Sequence, residues 1–423
     1  MSLKEREIGD YINILKEELI PALGCTEPIA IAYAAAKARE VLNQEPIEVE
    51  VKCSGNIFKN VKGVIVPNSG NLKGIKAAAV IGVIGGKAEK KLEVLSNVAE
   101  EDIKETKRLL KTNYCSVKLL KSKADLHIIV SVRSKTDTAL VELIETHTNI
   151  IKIKNNGKII FNKPFIKKNN NNSIECSPLT VKKIIQFADT VSIKEVEKII
   201  ERQIDLNSKI SKAGLTNKYG MNIGLNLIKY RGDNIKTRAK AFAAAGSDAR
   251  MNGCLLPAVI NSGSGNQGIT TSLPVIEYAK YLKVEKEVLI RALIISNLIA
   301  IHIKEKIGRL SAFCGAVSAA CGSGAAITYL YNGTYEQISS TIINTLGNVS
   351  GIICDGAKPS CAAKIASAVD AAIMAHDLTM SNQTIQVGDG IIQNDIEKTI
   401  DVIGHIGGNG MKKTDETILE AML

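Results

Sequence analysis

Tryptophan is absent from this 423-residue chain, which holds only six phenylalanines, ten tyrosines and five histidines. With aromatics at 4%, the core has to be filled by Ile, Val, Leu and Ala, and such side chains suit closely packed helices. No apolar run reaches the length of a membrane span; the longest, residues 288–303, is broken by Arg291, Ser296, Asn297 and His302. The amino terminus, MSLKEREIGDYINIL, lacks the basic-then-apolar pattern of a secretory signal, so the nine cysteines are expected to be reduced thiols in the cytoplasm. None of them stands in the paired C-x2-C spacing of zinc ribbons. No phosphate cradle is joined to a Schiff-base lysine, so pyridoxal phosphate is not called for, although Lys358 and Lys364 keep that route formally open.

The formal charge of +11 raises nucleic acid as a partner. The basic residues, however, are mixed with glutamates, as in 87–91 and 104–111, without a clustered face or interleaved aromatics. The expectation is a lysine-rich solvated surface, with no nucleic acid and no membrane as partner.

The length predicts more than one structural unit. Residues 4–19 place Ile8, Tyr11, Ile12, Leu15 and Leu19 at helical spacing. Residues 47–51 alternate apolar Ile47, Val49 and Val51 with Glu48 and Glu50, a strand pattern. Between 92 and 165 a helix over 100–110 precedes alternating strands at 116–120, 126–132, 138–145, 149–153 and 158–161, the last two joined by an Asn155-Asn156-Gly157 turn. The polar run 167–173 reads as a linker, and helices follow at 181–187, 192–206, 234–250 and 284–308. The expected fold is α+β: a mainly helical catalytic domain from residues 1–90 and 176–423, with a small mixed helix and antiparallel-sheet domain inserted at 91–175.

Three phrases combine Ser, Gly and Asn: residues 53–56, 67–71 and 261–268. Each presents donors to a substrate anion or forms an ordinary glycine turn. The candidate binding residues are Ser54, Asn56, Asn68, Ser69, Ser262, Ser264 and Asn266, with Arg250 as a partner for a substrate carboxylate. Thr26 reads as a helix cap with Glu27 and Pro28 in the first turn, which sets Cys25 at a helix amino terminus, where thiol pKa values fall.

The densest chemistry lies at 311–375, where Cys314, Cys321, Cys354 and Cys361 stand among Gly, Ala and Ser. Three thiolates from separate helix ends suit an iron–sulfur cluster with one open iron; the bland alternative is cysteine as a small buried hydrophobe. Cys321, flanked by Ala319, Ala320 and Gly322, reads as packing, and Cys53, Cys115, Cys176 and Cys254 as structural. His302, His405, Asp355, Asp370 and Asp248 read as structural residues or ion-pair partners.

Taken together, GCTEPIAIA (24–32), PNSG (67–70), NSGSGNQG (261–268), SAFCGAVSAACG (311–322) and ICDGAKPSCAAKIASAVDAA (353–372) resemble the L-cysteine desulfidase family, relatives of the iron–sulfur L-serine dehydratases. The resemblance spans nearly the whole chain and is weakest at 92–165. It implies a lyase that splits L-cysteine into hydrogen sulfide, ammonia and pyruvate. It further implies a [4Fe–4S] cluster held by Cys314, Cys354 and Cys361, with one iron not ligated by cysteine, and Cys25 as the acid/base. The alternatives carried forward are an iron–sulfur L-serine dehydratase, a cluster-bearing redox or nucleic-acid regulator, and a structural zinc protein. A homo-oligomer is left open.

Overall fold

The computed structural model describes residues 3–122, 124–164 and 179–422. The expected linker at 167–173 and Cys176 lie outside the described residues. The chain is a mainly helical α+β protein whose buried side chains form two large cores. Among the described residues no helix is long and apolar enough to cross a membrane.

Helix α1 (Glu5–Glu18) belongs to the helical core, where Tyr11 packs edge-on against Phe187 at 5.3 Å between ring centroids. The chain then leaves through the short strand β1 (Pro21–Leu23) and enters a sheet unit with α2 (Thr26–Leu42), β2 (Glu48–Cys53), α3 (Gly55–Val61), α4 (Gly74–Gly85) and α5 (Glu100–Leu109). Strands β3 (Cys115–Leu119), β4 (His127–Arg133), β5 (Thr138–Ile144), β6 (Ile150–Asn155) and β7 (Lys158–Asn162) complete a six-stranded sheet of order β3-β2-β4-β5-β6-β7.

The period-two pattern makes this sheet one-sided. Val49, Val51, Ile128, Val130, Val132, Val141 and Leu143 share a buried face under α2 and α4. The other face pairs charges: Glu50 with Lys52 and Lys118, and Glu142 with His127 and Lys152.

Two expectations change here. The sheet is mixed rather than antiparallel, because α3, α4 and α5 carry the chain across between β2 and β3, which therefore run parallel. The division at residue 91 does not follow the packing either. Strand β2 lies inside the sheet and α2 and α4 cover it, so the interruption of the helical unit begins just after α1.

The helical unit resumes with α6 (Val181–Thr190), α7 (Ile193–Thr216), α8 (Ile223–Arg231) and α9 (Ile235–Met251). Strand β8 (Pro257–Val259) pairs antiparallel with β1, and α10 (Gly265–Leu282), α11 (Lys286–Ile307), α12 (Gly315–Leu330), α13 (Tyr335–Val349), α14 (Cys361–Met380), α15 (Ile396–His405) and α16 (Lys412–Met422) follow. Helix α12 is buried almost all round, in contact with α10, α11, α13 and α14, and its Gly, Ala and Ser content is what lets four neighbours approach. The β1–β8 pair fastens the entrance of the sheet unit to the loop before α10, and both ends of that fastening frame one cleft.

Candidate active site

A cleft of about 1050 Å³ lies where the two units meet, and Cys25, Cys314, Cys354 and Cys361 all line it. Cys25 caps α2, and the β1–β8 pairing, continued by the Ile260 N–H donating to the Ile20 carbonyl at 2.9 Å, holds it against the 261–264 turn. The expected cap, Thr26, is instead the first helical residue. Its hydroxyl lies 2.9 Å from the Gly263 carbonyl and 3.1 Å from Glu27 Oε2, and its single proton serves one acceptor at a time.

The Cys25 thiol donates to Glu27 Oε2 at 2.9 Å, while the Asn60 amide donates to Glu27 Oε1 at 3.2 Å. Burial, and after it the Glu27 carboxylate, push the Cys25 pKa well above the ordinary thiol value, against the pull of the Arg250 guanidinium. The helix terminus thus does not lower this pKa as expected, because desolvation of the thiolate and a carboxylate two residues on outweigh the dipole. As it stands, Cys25 is a neutral thiol with its proton directed at a carboxylate.

The three other thiols come together through backbone geometry. A bridge between Phe313 and Ile353 sets the chains around Cys314 and Cys354 side by side, with Cys314 N–H donating to the Ile352 carbonyl at 3.0 Å and Cys354 N–H to the Ala312 carbonyl at 2.6 Å. Cys314 caps α12 and Cys361 opens α14. Burial, then the Cys354 thiol, push Cys314 up to about 12, and burial also raises Cys361.

Lysines surround this wall. Lys59 Nζ donates to the Cys354 carbonyl at 3.2 Å and pairs with Asp415, and Lys364 Nζ donates to the Ile353 carbonyl at 2.8 Å and pairs with Asp355. Lys304, buried on α11 beside Cys314 and Cys354, has no carboxylate within ion-pair distance among the described residues, and burial lowers its pKa.

Of the expected binding residues, Arg250, Ser262, Ser264 and Asn266 line the cleft. Arg250 Nη1 donates to Asn266 Oδ1 at 3.1 Å, not to Asp248, whose Oδ2 accepts from Gly224 N–H and whose pKa burial raises to about 6. The other four do not line it. Ser54 Oγ donates to the Asp125 carbonyl, Asn68 Nδ2 to the Leu95 carbonyl, and Ser69 Oγ to the Val66 carbonyl, while Asn56 sits in the first turn of α3. The first two Ser-Gly-Asn phrases are therefore turns that shape the sheet unit, since short polar side chains satisfy nearby backbone groups.

Cys321 lies wholly buried inside α12, and His302 bonds Glu397 at 2.7 Å; neither lines the cleft. His405 stands at the cleft's rim.

Composition gave no warning of Gln267, His147 or Lys304, which also line the cleft. Among the described residues, three that line the cleft each hold a buried polar atom with no hydrogen-bond partner: Arg250 Nε, Gln267 Oε1 and His147 Nε2. Such orphans are costly unless something pairs with them.

The thiol wall fits an iron–sulfur cluster by its chemistry: three soft thiol donors, among small residues, beneath buried lysines that offset the charge of thiolate and sulfide. Among the described residues no group of three or more Cys, His, Asp or Glu side chains is placed to hold a single metal ion.

Comparison with known proteins adds the family. Residues 89–420 match the family described as serine dehydratase alpha chain. Relatives named UPF0597 protein extend over the whole chain. That of Lachnoclostridium phytofermentans is 59% identical over 412 residues, 97% of this chain and 99% of the relative. That of Treponema denticola is 51% identical over 429 residues, 100% of each chain. That of Desulfitobacterium hafniense is 50% identical over 423 residues, 100% of this chain and 98% of the relative. The family match begins after the Cys25 phrase, which the relatives' coverage includes. The chain belongs to the serine dehydratase alpha chain family, a group of lyase-type enzymes associated with iron–sulfur clusters.

Proposed function

We propose that this protein is an iron–sulfur lyase that eliminates the β-substituent of L-cysteine, releasing hydrogen sulfide, ammonia and pyruvate. The observation that carries the reading is that the Cys25–Glu27 pair and the three-thiol wall open onto one cleft. Cys314, Cys354 and Cys361 would hold a [4Fe–4S] cluster. When bound, such a cluster with one iron free of cysteine supplies a Lewis acid for the leaving heteroatom.

The residues of the chain account for the rest. β-Elimination needs a base at Cα, and Cys25 reaches that role by passing its own proton to Glu27 Oε2 as its sulfur takes the Cα proton. A base positioned in this way contributes roughly 10²–10⁴-fold. Asn60 holds the far oxygen of Glu27, fixing the carboxylate for the transfer. Aminoacrylate leaves the site and is hydrolysed in water to pyruvate and ammonia.

Anaerobic purification followed by assay of sulfide and pyruvate from L-cysteine tests the reading. Equal release of both, lost on iron removal, supports it; an iron-free preparation of full activity overturns it.

A second reading, β-elimination of water from L-serine, is favoured by the family's own description over 89–420. The ratio of kcat/KM for the two amino acids decides between them.

A further inference from the structure

Four lysines stand at the thiol wall, and the charges of three are already answered. Lys59 pairs with Asp415. Lys358 and Lys364 share the Asp355 carboxylate, and with side chains 28% and 25% exposed they reach solvent, which screens the charge that one carboxylate leaves over.

Lys304 differs from all three. It stands in the last turn of α11, is 4% exposed, and makes no ion pair or hydrogen bond among the described residues. Its Nζ is not one of the sealed polar atoms that lack a partner, and the residue lines the cleft, so the ammonium keeps accessible surface on that space. After burial, the groups that act on its charge are the thiols of Cys354 and Cys314, then Asp125 beyond ion-pair distance, and Lys59.

An ammonium in that position works against the stability of the empty fold, because a buried charge without a counter-charge loses hydration that nothing offsets. Its helical neighbours Ile301, Ile303 and Ile307 are all buried, so an apolar side chain would suit the packing. What the position lacks is an anion on the cleft side. A dipositive four-iron core held by three thiolates carries one net negative charge, which one buried ammonium balances.

We propose that Lys304 is the charge partner of the cluster held by Cys314, Cys354 and Cys361, an ammonium that retains the three-thiolate centre and raises its reduction potential without ligating it. The assignment rests on the lyase reading for the presence of the cluster alone.

The test exploits a change of sign between the empty and the loaded protein, which a purely structural lysine would not give. Lys304→Met keeps most of the apolar stem and removes the charge. Without its cluster, this variant is expected to melt at a higher temperature than the unaltered protein in the same state. After anaerobic reconstitution it should lose iron to a chelator at least about tenfold faster, and its midpoint potential should shift to more negative values. Lys304→Arg should restore both retention and potential. Lys306→Met, on the same helix but with a lysine 44% exposed and paired with Asp401, should leave all three readings unchanged. The melting comparison needs no cluster, so it decides even where iron is lost too fast for a potential to be read.

Unchanged iron retention and potential in Lys304→Met, or a cluster-free variant that melts at a lower temperature, overturns the assignment and leaves the lyase reading intact. A centre whose potential follows Lys304 in a protein that releases no pyruvate from L-cysteine or L-serine overturns the lyase reading and leaves the charge partner standing. An unaltered protein that assembles no cluster overturns both.

Discussion

The thiol of Cys25 donates its hydrogen bond to Glu27 Oε2 at 2.9 Å, with both side chains buried at the start of one helix. A cysteine acting alone at a helix terminus would ionise early. Burial and the Glu27 carboxylate hold this one neutral, so the base role proposed for it requires a carboxylate that can take its proton.

Substitution at either member of the pair should therefore abolish turnover in the same way. Cys25→Ala and Glu27→Gln are each expected to lower kcat by roughly 10²-fold or more, with the double variant no worse than the lower of the two, because both serve one proton transfer. Substrate binding, read with L-alanine, should change far less. An additive loss in the double variant would show that the two groups act independently.

The three cleft thiols and the buried one should separate cleanly. Cys314→Ser, Cys354→Ser and Cys361→Ser are each expected to lower iron and acid-labile sulfide per chain after anaerobic reconstitution. Cys321→Ala should keep both and instead lower stability by about 1–2 kcal/mol, since it leaves a small cavity inside a helix packed on all sides. Cluster content unchanged in Cys361→Ser would remove that residue from the ligand set.

What was readable in the sequence followed from local physics. Alternation of Val49 and Val51 with Glu48 and Glu50 marks a strand one of whose faces is buried, and the small residues around Cys314 and Cys361 mark helices that pack closely. The partner of β2 was not readable. Its parallel neighbour β3 lies three helices further on, so pairing depends on the crossover and leaves no local trace. For the same reason the sheet unit appeared to begin at residue 91.

Arg250, Ser262, Ser264 and Asn266 were singled out because their residue types suit anion recognition, and the structure places all four on the cleft lining. Ser54, Asn68 and Ser69 carry the same types but spend them on their own turns. His147 and Lys304 were hidden, one in an unremarked turn after β5 and the other in a helix that reads as core. Only the meeting of the two units gives them a common space.

Buried thiols also set a pH limit on the protein without its cluster. Burial raises Cys53 and Cys115 to about 12 from an ordinary 9.0. The folded state therefore keeps protons that the unfolded chain gives up above pH 9. That stabilisation is complete below 9 and is lost as pH rises from 9 towards 12. Each group is expected to cost about 1.4 kcal/mol per pH unit across that window. Melting temperature measured from pH 8 to pH 10.5 should fall more gently in Cys53→Ala and Cys115→Ala, once each is referenced to its own value at pH 8. Parallel curves for the variants and the unaltered protein would show that these thiols do not contribute.

The last helix is tied to the thiol wall through one lysine. Lys59 is 2% exposed, and its ammonium both pairs with Asp415 of α16 and donates to the carbonyl of Cys354. Helix α16 buries none of its own residues, so its position depends on such polar ties and on the contact of Leu419 with Gly55. Lys59→Met removes the donor from both acceptors. Asp415 is partly exposed and can return to water, whereas the Cys354 carbonyl loses the donor of a part-buried bond, at a cost of about 1 kcal/mol. Amide exchange over 412–422 should then accelerate, and iron retention should fall because the Cys354 loop is no longer held. Asp415→Asn, which keeps the Lys59 bond to Cys354, should loosen α16 and spare the iron. Iron lost equally from both variants would show that the helix itself, and not the lysine, holds the thiol wall in place.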